Sequence, residues 1–431
     1  MNGQLSFAWR RRQNWIIIGV LYALFMMSRY NYSAISPLLL AAFGWTKQDL
    51  SILETAMPFF YGLSVIINAA IVDRIGGRKA YLIGSAGVVA ANVAFGAGHW
   101  LIGSFPPRET AYMMSAVYAV NAYFQSFGAM AIIQINSQWF APQERGTFSA
   151  IFGILIRMGL VFAFSAVPLI AAATTWYWGF WIPAALVAVF AGLDYFFVKD
   201  KPEEAGYPAV IPEDKGQARA RLSAFQLIQA VLSDRNVLIF ALSSIMIGFV
   251  RRSVVDSWWP LYLKEVIGVS GTSRIAQVMP WGIAVFGILG GFALGPLSDR
   301  LGRRAPVISA GFVGMAVSLV IFYCVGARSL GGWETVLCLS LLSFFVNGVH
   351  GVIMGAASMD LGGKHGSASA AGIFDGAQYF FAAPFTGWFV GKIITRFGWD
   401  VWKIWPVPFA LIGAVLMLFV WNVESNKGGA H

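Results

Sequence analysis

Three arginines carry the chemistry of this 431-residue chain. Arg29 lies between two uncharged runs, residues 15–28 (WIIIGVLYALFMMS) and 33–43 (SAISPLLLAAF). Arg251 and Arg252 follow a second apolar run and stand just ahead of Asp256. A planar guanidinium bonds phosphate or carboxylate through two parallel N–H groups, so arginines in apolar surroundings suit oxyanion binding. The stretch around Arg29 is long enough to cross a hydrocarbon core of roughly 30 Å. An arginine at that depth costs on the order of 2.5–3.5 kcal/mol on insertion scales, and it therefore faces a polar cavity or a fixed partner. At about 100° per residue, Tyr22, Ser33 and Ser36 fall near the face of Arg29, one polar stripe on an apolar helix. The plainer alternative is a structural arginine paired to an acid on a neighbouring helix.

Two acids also interrupt apolar runs, Glu54 and Asp375, the latter with Gln378 and Tyr379 one turn on. A carboxylate in a low dielectric favours its neutral form unless a cation is near, so either acid is a candidate proton carrier. The alternative is a fixed bridge from Glu54 or Asp375 to Arg157 or Arg29. Asn121 and Gln125 share one helix face, as do Asn347 and His350. These amides suit a cavity lining, or equally the hydrogen-bonded glue between helices. Cys324, Cys338 and four scattered histidines match no disulfide or metal spacing, so neither a metal nor a cofactor is expected. No G-x-x-x-x-G-K-[ST] loop is present, so ATP is not the expected energy source. No constellation suggests an enzyme.

The elements that position these groups are membrane helices. The chain is 58% hydrophobic and 12% charged, with a mean hydropathy of +0.67. Soluble domains sit near about 45–50% apolar and about 25% charged. Apolar runs near 15–43, 50–72, 80–102, 111–136, 147–172, 177–198, 236–259, 277–298, 306–326, 334–356, 367–394 and 401–422 predict twelve spans. They are too long for strands. The first run lacks a cleavage site and reads as a retained helix. The polar stretch after Val198 divides the spans six and six: residues 1–198, a linker over 199–235, and residues 236–431. Residues 224–232 (AFQLIQAVL) predict a short amphipathic helix at the membrane surface. Trp176–Trp178 and Trp258–Trp259 read as interfacial anchors. One set of loops holds eighteen of the lysines and arginines and the other eight, which places both termini and the linker in the cytoplasm. The net charge of +10 is explained by those loops, and no basic stripe suggests a nucleic acid partner.

An internal repeat links the halves. Asp73-Arg74-Ile75-Gly76-Gly77-Arg78-Lys79 follows the second span, and Asp299-Arg300-Leu301-Gly302-Arg303-Arg304 follows the eighth. Glycine permits the tight turn, while the acid and arginines can pair with one another or with a helix terminus. Two copies in register resemble the loop signature of the major facilitator superfamily. That resemblance implies two six-helix bundles around a central cavity, with alternating access by rocking of one bundle on the other.

A narrower resemblance rests on Trp258-Trp259-Pro260-Leu261-Tyr262-Leu263-Lys264-Glu265, Arg29 with Asn31, Tyr61-Gly62, Phe124-Gln125, Gln143-Glu144-Arg145-Gly146, Ser369-Ala370-Ala371-Gly372 and Phe397-Gly398-Trp399-Asp400. The chain is thereby similar to the organophosphate:phosphate antiporter family, which contains glycerol-3-phosphate and hexose-phosphate transporters and a hexose-phosphate receptor. The resemblance implies that Arg29 and one span-seven arginine bind the substrate phosphate and that Tyr22 and Tyr379 line the site. Counting back from Asp256 selects Arg251, and counting back from Pro260 selects Arg252. Adjacent residues of an α-helix point about 100° apart, so both cannot face the cavity equally. Proline is hard to shift along a helix. The expectation is Arg252 as ligand and Arg251 as the partner of Asp256 or of a lipid headgroup.

Three positions depart from the glycerol-3-phosphate members: Tyr30 stands for a lysine, Val65 for a lysine and Ile156 for a histidine, with Arg157 beside it. The expected protein is a monomeric, multi-pass bacterial inner-membrane carrier of an organic phosphate or related anion, driven by exchange with inorganic phosphate or by protons. The alternatives are cotransport of a sugar-acid carboxylate and a non-transporting sensor of a phosphorylated sugar. Gln125, Arg157 and Asn347 complete the expected binding set.

Overall fold

A computed structural model describes residues 6–140, 145–210, 229, 233–325 and 331–423. Among them there is no β-strand. The first half comprises α1 (Phe7–Ala34), α2 (Ser36–Phe43), α3 (Lys47–Ile75), α4 (Gly77–Ala97), α5 (Pro107–Trp139), α6 (Arg145–Ala173) and α7 (Trp178–Phe197). The second comprises α8 (Arg235–Val250), α9 (Trp259–Tyr262), α10 (Arg274–Leu301), α11 (Ala305–Val325), α12 (Trp333–Gly351), α13 (Ser358–Pro384), α14 (Val390–Phe397), α15 (Trp399–Ile404) and α16 (Val407–Leu418). Ten described helices are long and apolar enough to cross a membrane. The two remaining crossings, α1 and α13, carry Arg29 with Asn31 and Asp375 with Gln378. Those groups lower their hydropathy, and both helices face the middle of the molecule.

Within the first half α1 packs on α6 and α7, and α5 on α3 and α4; within the second α12 packs on α10 and α11, and α8 on α13 and α16. The halves meet along two seams, α3 on α13 and α6 on α10. Glycine sets the spacing inside a half. A Cβ on Gly290 would lie 1.9 Å from the Phe344 carbonyl oxygen, so α10 and α12 touch backbone to backbone there. Gly290→Ala is therefore expected to push the pair apart and cost about 1–3 kcal/mol of stability. An unchanged thermal midpoint in detergent would contradict that close contact.

Several boundaries differ from the sequence expectation for local physical reasons. The first span begins at Phe7, where Ser6 caps the helix by accepting the Trp9 N–H, so Arg10–Arg12 are already helical. It stops at Ala34 because Pro37 has no N–H to continue the ladder, and α2 restarts with that proline in its first turn. The seventh span is not one helix over 236–259. Its α-helix ends at Val250, a π-helical turn spans Arg251–Val255, and Trp258 adopts φ 65° before α9 restarts with Pro260 in its first turn. The turn expected between 356 and 367 is helical, since α12, the π-helical Val352–Ala357 and α13 run on without a break. The last span divides at Trp405-Pro406. The expected surface helix at 224–232 lies outside the described residues, apart from Gln229. Trp258 and Trp259 are core residues rather than interfacial anchors: each is at most 2% exposed. The Trp258 indole donates to the Thr386 carbonyl at 2.9 Å, and Trp259 packs on Phe164.

The repeated loops behave differently in the two halves. Arg304 pairs with Asp299 inside its own loop. In the first copy Arg78 instead reaches the Tyr195 carbonyl, and its backbone N–H donates to Asp200 at 2.7 Å, tying the loop to the segment after α7. Arg74, Arg300 and Arg303 are exposed, and the Asp73 side chain lies outside the described residues. At the end opposite the N-terminus the halves are joined. Lys47 pairs with Glu265 at 2.8 Å, the Trp399 indole donates to the same carboxylate at 2.9 Å, and the Trp388 N–H donates to Thr55 at 2.8 Å. Among the described residues, the polar contacts between halves lie at that end or at mid-depth.

Candidate functional site

At mid-depth the sequence collects four arginines. Arg29 lies on α1 one turn before its end and is 1% exposed. Its guanidinium sits 4.1 Å from the centre of the Tyr61 ring, a cation–π contact, and Nη2 makes a long 3.4 Å bond to Gln125. Gln125 is itself fixed, donating to the Phe25 carbonyl at 3.0 Å. Tyr22 and Tyr379 lie within the electrostatic reach of the same guanidinium. The Arg29 Nε has no hydrogen-bond partner.

The π-helical turn carries the second pair. Arg252, also 1% exposed, donates from Nη1 to the Tyr30 hydroxyl at 3.3 Å and stands 3.8 Å from Asp256. Arg251 lies 3.0 Å from Asp256 through Nε, close enough for an ion pair but too far off axis for a hydrogen bond. Its Nη2 donates to the Tyr379 hydroxyl at 3.5 Å. The guanidiniums of Arg251 and Arg252 lie 5.9 and 5.7 Å from the Tyr379 ring centre, so both reach one tyrosine. The expectation that both cannot face the cavity equally assumed α-helical spacing, whereas the pair sits on a π turn. Asp256 pairs with Arg251 at 3.0 Å and with Arg252, at 3.8 Å, more weakly. The Arg252 Nε has no partner.

Arg157 on α6 crosses the second seam to the Asn347 side-chain oxygen, while its Nη1 is left without a partner. Asn347 is oriented by its own amide, which donates to the Ser343 carbonyl at 3.0 Å and hydroxyl at 2.8 Å. Asn121 proves to be helix glue, donating to the Ser28 carbonyl at 3.1 Å and accepting from Asn92 at 3.3 Å. Fixed bridges to Glu54 or Asp375 do not form among the described residues. Glu54 is buried and accepts from the Tyr32 hydroxyl at 2.8 Å; Asp375, half-buried, lies in the fields of Arg251 and Arg29 without a direct bond. If these acids carry protons, Glu54→Gln or Asp375→Asn is expected to abolish pH-driven accumulation and spare simple exchange. Wild-type accumulation by both variants in proteoliposomes would make the acids structural.

Sequence reasoning gave no role at the site to four of its neighbours. Tyr30 links the halves, receiving the Arg252 N–H and donating to Asp256 at 3.5 Å. Tyr32 holds Glu54, and Tyr61 forms the floor under Arg29. Gln378 is fully buried beside His350. The signal available was the number of tyrosines on one span, Tyr22, Tyr30 and Tyr32. Chemically, the arrangement presents buried N–H donors without acceptors, framed by aromatic rings. Among the described residues no group of His, Cys, Asp and Glu is arranged to hold a metal ion.

Comparison with known proteins agrees with this architecture. The family model described as Major Facilitator Superfamily matches residues 18–384. The glycerol-3-phosphate transporter of Bacillus subtilis (strain 168) is 26% identical, the match covering 100% of this chain and 96% of the relative. The membrane sensor protein UhpC of Salmonella typhimurium is 25% identical over 97% of this chain and 93% of its own. A probable hexose phosphate transport protein of Chlamydia trachomatis is 24% identical over 95% and 91%. Among solved structures, a D-xylose-proton symporter superposes with a TM-score of 0.72 at 16% identity, covering 98% of this chain and 100% of that one. The nucleoside transporter NupG gives 0.70 at 14% identity over 94% and 99%. These relatives agree with the organophosphate:phosphate antiporter resemblance. With a family model over most of its length and full-length relatives of that branch, the chain belongs to the Major Facilitator Superfamily and is a membrane transporter rather than an enzyme.

Proposed function

We propose that this transporter carries an organic phosphate across the bilayer by alternating access, with Arg29 and Arg252 gripping the phosphoryl group from opposite halves. The observation that carries the reading is that these fully buried guanidiniums leave Nε unbonded, as Arg251 does, but unlike Arg251 have no carboxylate at 3.0 Å. A buried charge without a full set of partners costs several kcal/mol, and a phosphate offers the acceptors that complete both forks. Arg251 stays with Asp256 and keeps that carboxylate from repelling the anion. Tyr22, Tyr379, Gln125, Arg157 and Asn347 line or brace the pocket. Relatives named for glycerol-3-phosphate and hexose phosphate favour a phosphate ester over a sugar-acid carboxylate. Tyr30, where the glycerol-3-phosphate members have a lysine, leaves the site with one cation fewer on that side and favours a less highly charged substrate.

The lysine and arginine bias supports a bacterial inner-membrane protein with both termini in the cytoplasm. The sealed far end is then periplasmic. The working unit is a monomer of two bundles, residues 1–198 and 236–431 joined by the linker 199–235, and the drive is exchange with inorganic phosphate or proton cotransport. The test is counterflow of labelled phosphate in proteoliposomes against a panel of sugar phosphates, phosphonates and carboxylates. Exchange with sugar phosphates alone supports the reading, and exchange with carboxylates alone rejects it. The sensor-type relative supports a second reading, which binding without flux in the same vesicles would favour.

A further inference from the structure

Outside the central site, a groove of about 490 Å³ opens between α3, the start of α5 and the opposite half near the sealed end. Its floor is α3, through Ile52, Ala56 and Phe59; one wall is the start of α5, with Arg108 and Tyr112, and the other is Trp388 from the opposite half. The floor residues run from 48 to 60, about 18 Å of helix, which matches much of an acyl chain crossing one leaflet. Tyr112 and Trp388 are about half exposed, as aromatic side chains are at the headgroup level of a bilayer. Two cations stand at this level. Arg108 makes a single 3.5 Å hydrogen bond to the Tyr112 hydroxyl among the described residues, and Lys392 rests 3.6 Å over the Trp388 ring. Asp49 also lines the groove, but its carboxylate is turned into the α3 cap, accepting the Thr46 N–H at 2.9 Å and hydroxyl at 2.7 Å.

We propose that this groove binds one anionic phospholipid, with an acyl chain along α3 and the headgroup phosphate on Arg108, supported by Lys392. The apolar floor and exposed cations complement such a lipid in shape and charge. The walls belong to different halves, and the floor is where they touch: Trp388 bonds Thr55, and a Cβ on Gly387 would lie 2.3 Å from the Thr55 hydroxyl. A lipid seated there spans the seam and braces the sealed end. Separation of α3 from the 384–391 segment dismantles the groove, so the lipid favours the sealed state over the one open at that end.

The experiment is native mass spectrometry of the full chain released from nanodiscs of equal phosphatidylglycerol and phosphatidylethanolamine. The wild type is expected to retain one phosphatidylglycerol. Arg108→Gln, an exposed change, is expected to lower that retention about fivefold, the effect of one interfacial cation. Ala56→Phe, which fills the floor, is expected to abolish it while the thermal midpoint in detergent stays within a few degrees. Wild-type retention by both variants overturns the proposal, as does equal retention of phosphatidylethanolamine. A dimer in place of the bound lipid, lost in Ala56→Phe, would make the groove a contact between two copies and also overturn it.

Discussion

Arg252→Ala is expected to eliminate binding of the transported anion, while Arg251→Ala mainly lowers stability. The two residues are neighbours with the same side chain, so their difference comes from partners. Arg251 lies at 3.0 Å from Asp256 and neutralises it, whereas Arg252 is at 3.8 Å and spends its close contact on the neutral Tyr30 hydroxyl. Removing Arg252 takes away a buried donor group with an empty Nε; loss of one partner from a buried, hydrogen-bonded charge pair typically costs about 2–5 kcal/mol. Removing Arg251 leaves Asp256 with one distant cation, and breaking a buried pair costs about 3–5 kcal/mol of stability. Arg252 limits that loss because it can swing toward the orphaned carboxylate. Equilibrium binding of an organic phosphate to the two purified variants, with thermal midpoints measured alongside, decides the matter. The opposite ranking would make Arg251 the ligand.

The second large effect is expected at Arg29. Arg29→Lys keeps the charge but replaces a planar fork with a single ammonium, and it loses the guanidinium contact 4.1 Å from the Tyr61 ring centre. Binding should weaken by about 1.5–3 kcal/mol, the scale of one charge-assisted hydrogen bond, or roughly ten- to hundredfold in Kd. Gln125 tests the same geometry from behind. It anchors to the Phe25 carbonyl and holds Arg29 only loosely at 3.4 Å, so Gln125→Ala should cost less than Arg29→Lys. Wild-type affinity in Arg29→Lys at normal expression would remove Arg29 from the site.

Both predictions start from residues visible in the chain before any fold was considered, and they differ in how much the fold adds. Arg29 stood out because a lone arginine between two uncharged runs has no cheap place in a bilayer. The same solvent argument made the membrane class, the helical fold and the twelve crossings legible, because apolar length is a direct consequence of the thickness to be crossed. The repeated Asp-Arg-x-Gly loops identified the two halves for a similar reason: a tight turn between spans needs glycine and charge wherever it occurs.

What the sequence left open was decided by contacts between helices. The π turn at Arg251–Val255 and the φ of 65° at Trp258 follow from packing around the seventh span, and they let two adjacent arginines reach one tyrosine. Trp258 and Trp259 carry the composition of interfacial anchors, yet the break in the helix turns them into the core. Glu54 was a plausible bridge partner for any nearby cation, and the neighbouring span supplied Tyr32 instead. Tyr61 and Gln378 carry no mark in a hydropathy pattern, because a tyrosine or glutamine on a membrane helix is unremarkable until its neighbours are known. Hydropathy reports how much of a helix avoids water and is a sum over its faces. Which face meets which neighbour, and which buried N–H is left without an acceptor, depends on residues from 22 to 222 positions away and exists only once the helices are packed.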